Sequence, residues 1–202
     1  MTDSAKAPLP VQRRAWDTRE KILAAAVECL AEDGYGATTT SRIQERSGVS
    51  RGSLLHQFPS RDDLLIAAVE HLANIRIREA GDRVAARERD ADDIDAAVEV
   101  VWETFRGPLF RASLELWVAA KSNPNLARAL APHEHEVGRS IRHAVTIIFG
   151  PRLAARKQFG DLITLLLSSM RGTALTYTFE PRPHGEEPAL TIWKKLAHTM
   201  LR

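Results

Sequence analysis

The stretch from Thr38 to Asp63, TTTSRIQERSGVSRGSLLHQFPSRDD, leaves few folds open. Thr39 is a good N-cap, because its hydroxyl can accept an otherwise unpaired backbone N–H. A short helix then runs through Ile43 to about Arg46. Ser47-Gly48-Val49 forms a turn in which glycine takes positive φ without steric penalty. Ser50 caps a further helix that Pro59 stops at about Phe58. Two short helices joined in this way form a helix-turn-helix. Ile43, Val49, Leu54 and Phe58 are apolar at spacings that fix the second of these helices against its neighbours.

A helix seated in the major groove reads bases with its N-terminal residues, while flanking donors hold phosphates. Here those residues are Ser50, Arg51, Gly52 and Ser53. Arg51 matches guanine O6 and N7, or a phosphate. Gly52 lets the backbone approach DNA closely, and His56 projects one turn further on. Thr39, Thr40 and Arg42 open the preceding helix, where hydroxyls and N–H groups can meet the DNA backbone. Arg61, just past the motif, is expected as a phosphate clamp.

The rest of the chain also reads as helix, and no convincing strand alternation occurs. A first helix is expected from Asp17, with Glu20 completing a capping box, to Asp33-Gly34, where glycine suits a left-handed C-terminal cap. Ser60 caps a helix carrying Asp62 and Asp63 in its first turn, favourable to the helix dipole, and reaching about Ala80. Gly81 to Asp95 is densely charged and mixed in sign, the pattern of a solvated surface. Further helices are expected over about Asp93–Phe105, Leu109–Lys121, Asn123 to Phe149 (with an interruption near Pro132), Leu153–Phe179 and Glu187–Leu201. Pro181 to Gly185 reads as a loop.

Trp102, Phe105, Leu109, Phe110, Leu114, Trp117 and Val118 place large apolar surface on two successive helices, either packed as core or lining a pocket. Ser113, Glu115, His133 and His143 are candidate polar anchors. Leu162 to Met170 is apolar almost all round, so that helix needs burial on more than one face. Ser168, Ser169 and Gly172 would allow close approach of a partner. With Leu190, Trp193, Leu196 and Leu201 of the last helix, it suits a four-helix interface between two copies of the chain.

Composition narrows the function further. The chain has 202 residues, 44% hydrophobic and 27% charged, with a net charge of only +2, so any nucleic-acid surface depends on where the charges sit. No apolar run reaches the ~20 residues that span a bilayer. Met1 to Pro10 lacks the apolar run of a secretory signal. The lone Cys29 excludes an intrachain disulfide and falls on an apolar helix face, consistent with a reducing cytoplasm. His133 and His135 stand two apart, so they do not face one another on a helix; with no completing cluster, no metal is expected. No phosphate loop or catalytic constellation is found, so neither a cofactor nor an enzyme activity is expected.

The segments TREKILAAAVECLAEDGYGATTT and RIQERSGVSRGSLLHQFPSRDDLL, within Thr18–Val69, resemble the DNA-binding domain of the tetracycline-repressor (TetR) family of bacterial regulators. Helix ends, turn glycine, recognition helix and the junction after Phe58 coincide in order. The resemblance covers about a quarter of the chain. It implies a dimer on a palindromic operator, with Arg51, Gly52, Ser53, Leu55 and His56 on the recognition helix. Thr39 and Thr40 head the preceding helix and Arg61 the following one. Two positions depart from the pattern. Leu55 stands where a phosphate-contacting tyrosine is common, and Gln44 stands where alanine is common, which makes the Gln44 amide a candidate to reach DNA. FRGPLFRASLELWVAAK, from Phe105 to Lys121, also resembles a recurring pattern of the family, which places its effector site among these helices.

The expectation is therefore an all-α protein of about nine helices. Residues 1–15 form a disordered tail, 16–60 a three-helix DNA-binding domain, and 61–202 a helical bundle for ligand binding and dimerisation, with 61–80 connecting the two. The expected function is a cytoplasmic dimeric repressor. It binds a double-stranded DNA operator and is released by a small hydrophobic effector held by Trp102, Phe105, Phe110, Leu114, Trp117 and His143. The alternative is a DNA-binding regulator controlled by a protein partner, or without an effector.

Overall fold

The computed structural model describes residues 10–86, 93–183 and 187–202. Expectations for residues 1–9, for the charged run at 87–92 and for His184 and Gly185 lie outside the described residues. Those described form nine helices and no strand: α1 Pro10–Ala37, α2 Thr40–Ser47, α3 Arg51–Gln57, α4 Arg61–Ala86, α5 Ile94–Glu103, α6 Pro108–Ser122, α7 Pro124–Ala154, α8 Phe159–Thr176 and α9 Pro188–Leu201.

Several ends differ from the sequence expectation, each for a physical reason. α1 starts at Pro10, inside the stretch expected as tail; proline is tolerated in a first turn because its missing N–H would be unpaired there anyway. Asp17 is then interior and caps nothing. Glu20 is also not part of a capping box: its carboxylate lies 2.7 Å from His71 Nε2, tying α1 to α4. α4 carries Gly81 without stopping and runs to Ala86. Glycine costs a helix only about 1 kcal/mol relative to alanine, which does not by itself end a long one. α7 likewise passes through Pro132 without interruption, and its break falls at Gly150 (φ 80°, ψ 162°), where the sequence expectation ends that helix. Arg128 and Pro132 are both exposed, so the carbonyl that proline leaves without a donor meets water. The single helix expected over Leu153–Phe179 is two, separated by a turn at 155–158. That turn brings Phe159 edge-on to Phe149 at 5.6 Å between ring centroids.

Helix starts that depend only on neighbouring residues match the expectation. Thr39 Oγ1 accepts the Arg42 N–H at 3.1 Å, and Ser50 Oγ accepts the Ser53 N–H at 3.3 Å. Ser60 Oγ accepts the Asp63 N–H at 3.1 Å, and Asn123 Oδ1 accepts that of Leu126 at 3.1 Å.

Two apolar cores hold the helices. One joins α5, α7, α8 and α9 around Val98, Trp102, Phe149, Leu162, Leu166 and Trp193. The other lies beneath the helix-turn-helix around Ile22, Leu30, Ile43, Leu54 and Leu64, and it also takes in Ala112 and Leu116 of α6 and Leu126 and Leu130 of α7. Cys29 is fully buried in this second core, and burial pushes its thiol above the ordinary cysteine value. Among the described residues no helix is long and apolar enough to cross a membrane.

Candidate nucleic-acid interface and effector cavity

The turn between α2 and α3 is set by Gly48, whose backbone is left-handed (φ 66°, ψ 15°) and whose N–H donates to Gln44 O at 3.0 Å. Ile43 and Leu54 face the core, which leaves the opposite side of α3 to solvent. Ser50, Arg51, Gly52, Leu55 and His56 are exposed, and Ser53 is half-buried. Among the described residues Arg51 has no ion pair. A Cβ added at Gly52 would meet nothing within 4 Å, so the space beside it is open. Leu55 is 48% exposed, a large apolar side chain presented to solvent on the face where the motif would read DNA. Thr39 is exposed, Thr40 half-buried, and Gln44 half-buried on the α2 side of the turn.

The two arginines of α2 do not share this freedom. Arg42 Nε lies 3.1 Å from Asp33 Oδ2, and its guanidinium is 3.7 Å from Glu45. Arg46 pairs with Glu32 at 2.6 Å and Glu28 at 3.7 Å. The Arg46 guanidinium holds the Glu32 carboxyl below the ordinary range. Both arginines fasten α2 to the end of α1, so Arg42 is already engaged on the surface where it was expected to meet DNA.

Arg61 corrects the expectation most clearly. It is turned inward and holds the chain rather than facing outward as a clamp. Gly34 breaks α1 with φ 77° and ψ 168°, a backbone region essentially confined to glycine. Carbonyls beyond the break are left without helical donors. Arg61 supplies them, its Nε donating to Thr38 O at 2.5 Å and its Nη2 to Tyr35 O. Its guanidinium also lies 4.1 Å from the Tyr35 ring centroid. Tyr35 donates its hydroxyl to Asp62 Oδ1 at 2.8 Å and its backbone N–H to Glu115 Oε2 at 2.9 Å. Burial and the Asp62 bond raise the Tyr35 phenol above its ordinary value. Glu115, expected as a ligand anchor, thus ties α6 to the segment entering the helix-turn-helix.

A cavity of about 440 Å³ opens between α4, α6, α7 and α8. Its apolar wall comes from Val69, Ala73, Phe105, Leu109, Phe110 and Trp117. Phe105 and Phe110 meet edge-on at 5.5 Å, and Phe110 and Trp117 at 6.2 Å. Of the expected ligand residues, Phe105, Phe110 and Trp117 border this cavity, as does Ser113. Trp102 does not: it is 2% exposed and packed 4.9 Å from Trp193 in the bundle core. Leu114 is half-buried outside the lining, and His143 is exposed to solvent away from it. His133 Nδ1 lies 2.8 Å from Glu70. Not anticipated from the sequence is the α7 and α8 side of the cavity, where the exposed Arg139, Arg142 and Arg171 border the space with Glu134 and His135, alongside the apolar Val137, Ile141 and Leu167. The only sequence signal of these cations was arginine at i, i+3 on an amphipathic helix, which is ordinarily a solvated face.

On the far side of the bundle, Leu165 (51%), Leu175 (46%) and Ile192 (67%) are exposed on α8 and α9, with Ser168 and Gly172 exposed between them. Ser169 instead accepts the Trp193 indole N–H at 2.9 Å. No cluster of three His, Cys, Asp or Glu side chains suited to a metal ion occurs among the described residues.

These features have counterparts in known proteins. The family model of bacterial regulatory proteins of the tetR family matches residues 22–68. The HTH-type transcriptional regulator CymR of Pseudomonas putida is 29% identical over 162 residues, 80% of each chain. The HTH-type transcriptional repressor AcnR of Corynebacterium glutamicum is 39% identical over 51 residues, 25% of this chain and 27% of that one. The crystal structure of a transcriptional regulator from Streptomyces coelicolor A3(2) superposes with a TM-score of 0.64 at 22% identity, over 92% of this chain and 98% of the other, a likeness of fold.

Proposed function

Since this chain belongs to the TetR family of bacterial transcriptional regulators and binds DNA as such, we propose that it is a homodimeric repressor released from a palindromic operator by a small molecule. Residues 16–60 form the DNA-binding domain, and 61–202 bind the effector and the second subunit. Its place of action is the cytoplasm, where a bacterial chromosome lies. The relative in Corynebacterium glutamicum is itself named a repressor.

The observation that carries the reading is the position of the cavity. α4 and α6 form its wall, and the same two helices pack under the helix-turn-helix. A volume of about 440 Å³ falls within the range of small-molecule sites. The cavity beside Trp117 also favours an effector over a fully packed interior. The exposed faces of α8 and α9 supply the dimer contact. Two recognition helices about 34 Å apart reach successive major grooves; a ligand that shifts α4 alters that spacing. Release requires tighter binding to the DNA-incompetent state, because equal affinity shifts nothing.

Arg51, Gly52, Ser53, Leu55 and His56 then face the groove, and Ser50, Thr39, Thr40 and Gln44 its edge. The test is binding of purified protein to the intergenic DNA beside its own gene, against a scrambled duplex, at several salt concentrations. The expected result is selective binding by a dimer, falling steeply with salt and weakened by Arg51→Ala. Equal affinity for both duplexes, with no effect of Arg51→Ala, would refute the reading of α3.

A further inference from the structure

The sequence suggested a hydrophobic effector, but the α7 and α8 side of the cavity adds cationic groups to its apolar residues Val137, Ile141 and Leu167. Arg139 and Arg142 of α7 and Arg171 of α8 border it, against a single carboxylate, Glu134. The Arg171 guanidinium stands 5.1 Å from the centroid of the Trp117 ring, itself part of the lining. Arg142 Nη2 lies 3.8 Å from where a Cβ on Gly138 would sit, so its guanidinium folds back over the backbone that borders the space. Among the described residues none of these three arginines has an ion pair, whereas Arg42, Arg46 and Arg61 are all engaged. Unpaired guanidiniums beside an apolar wall are costly to desolvate under a neutral ligand and repel a cation. They match an oxyanion, which a guanidinium can hold through two parallel hydrogen bonds.

We propose that the cavity binds an amphipathic organic anion. Its flat apolar body lies against Phe105, Phe110 and Trp117, and its acidic group lies among Arg139, Arg142 and Arg171. This rests on the reading of the cavity as the effector site and names the chemistry of the ligand it takes.

The test titrates the full-length protein with anilinonaphthalene sulfonate, a fluorescent aromatic anion, and with N-phenylnaphthylamine, its uncharged counterpart. The double variant Arg142→Gln/Arg171→Gln is expected to weaken binding of the sulfonate about tenfold or more, the scale of lost charge-assisted hydrogen bonds. The neutral dye should change by less than about twofold, since the apolar wall is intact. Arg128→Gln, which removes an exposed positive charge outside the cavity, is expected to change neither. Naphthoate should displace the sulfonate, and naphthalenemethanol at the same concentration should not. Equal loss of both dyes, or a sulfonate affinity untouched by the double variant, would overturn the proposal. Operator binding measured with saturating dye separates the two readings. Charge-selective dye binding with unchanged operator affinity would leave the anion site standing and refute its role as effector site. Release by both dyes alike, independent of the arginines, would do the reverse.

Discussion

Arg61 offers a sharp test because two incompatible roles predict different observables. As a phosphate clamp, its loss would leave the fold intact and remove one ionic contact from the complex. As the structure places it, Arg61→Ala removes two hydrogen bonds from a charged donor to the carbonyls of Tyr35 and Thr38. It also removes a cation–π contact at 4.1 Å. Hydrogen bonds involving a charged group contribute about 1.5–3 kcal/mol each, and a partly exposed cation–π contact about 0.5–1 kcal/mol. Because Arg61 is only half-buried and water can replace part of these contacts, the expected loss is about 2–4 kcal/mol. Arg61→Lys should recover less than half, since an ammonium lacks the planar fork that spans two carbonyls. Denaturant unfolding measures the loss. Operator binding across a salt series, at a temperature where the variant is folded, measures ionic contacts. The expected salt slope per half-site is unchanged. A slope reduced by about 0.9 with stability altered by less than about 0.5 kcal/mol would refute the capping role and restore the phosphate clamp.

Three further outcomes follow from local geometry. Gly48→Ala should cost about 1–2 kcal/mol in thermal or denaturant unfolding; nothing lies within 4 Å of the added Cβ, so the penalty is that of the left-handed backbone. Leu54→Ala should destabilise by about 2–5 kcal/mol as a buried truncation, whereas Leu55→Ala, next in sequence but exposed, should change stability by less than about 0.5 kcal/mol and appear in operator affinity instead. Tyr177, which donates to the buried Glu187, is pushed up to about 12, chiefly by burial and then by that hydrogen bond. A phenol raised in the folded state stabilises below its unfolded value near 10 and loses that contribution as pH rises towards about 12. Melting temperatures of the wild type should therefore fall more steeply over that window than those of Tyr177→Phe, and parallel curves would contradict the assignment.

What was legible in the sequence was what four consecutive residues decide. Thr39, Ser50 and Ser60 cap because the donor each accepts is three residues away. Gly48 turns the chain because its own backbone requires it. The unread parts depend on distant partners. Asp17 and Glu20 have the spacing of a cap, but a helix that begins at Pro10 makes the motif interior, and Glu20 then finds His71 fifty-one residues away. Arg61 has the sequence position of a phosphate contact; only the folded path of the chain after Gly34 shows carbonyls within its reach. The cavity's aromatic wall was visible as apolar residues on two adjoining helices. Its basic wall was not, because Arg139, Arg142 and Arg171 come from two helices that converge only in three dimensions.

On the proposed reading, the packing offers an effector in the cavity a short route to the helix-turn-helix. The core beneath the helix-turn-helix is not closed by α1 to α4 alone, since Ala112 and Leu116 of α6 are fully buried in it. The very next residues on the same helix, Ser113 and Trp117, border the cavity. Glu115 lies between these positions and holds the Tyr35 N–H at 2.9 Å, immediately after the Gly34 break. A Cβ at Gly34 would stand 3.0 Å from that same carboxylate oxygen, so the contact is close as well as polar. α6 therefore presents one face to the cavity and the other to the segment before α2. Interiors are close-packed and transmit displacement, so a shift of α6 that keeps the Glu115–Tyr35 bond must move the segment that orients α2 and α3. A shift that breaks the bond would instead free Tyr35 and weaken the clamp that Arg61 maintains. On the proposed reading, either response would couple the cavity to α3 through residues that touch neither ligand nor DNA.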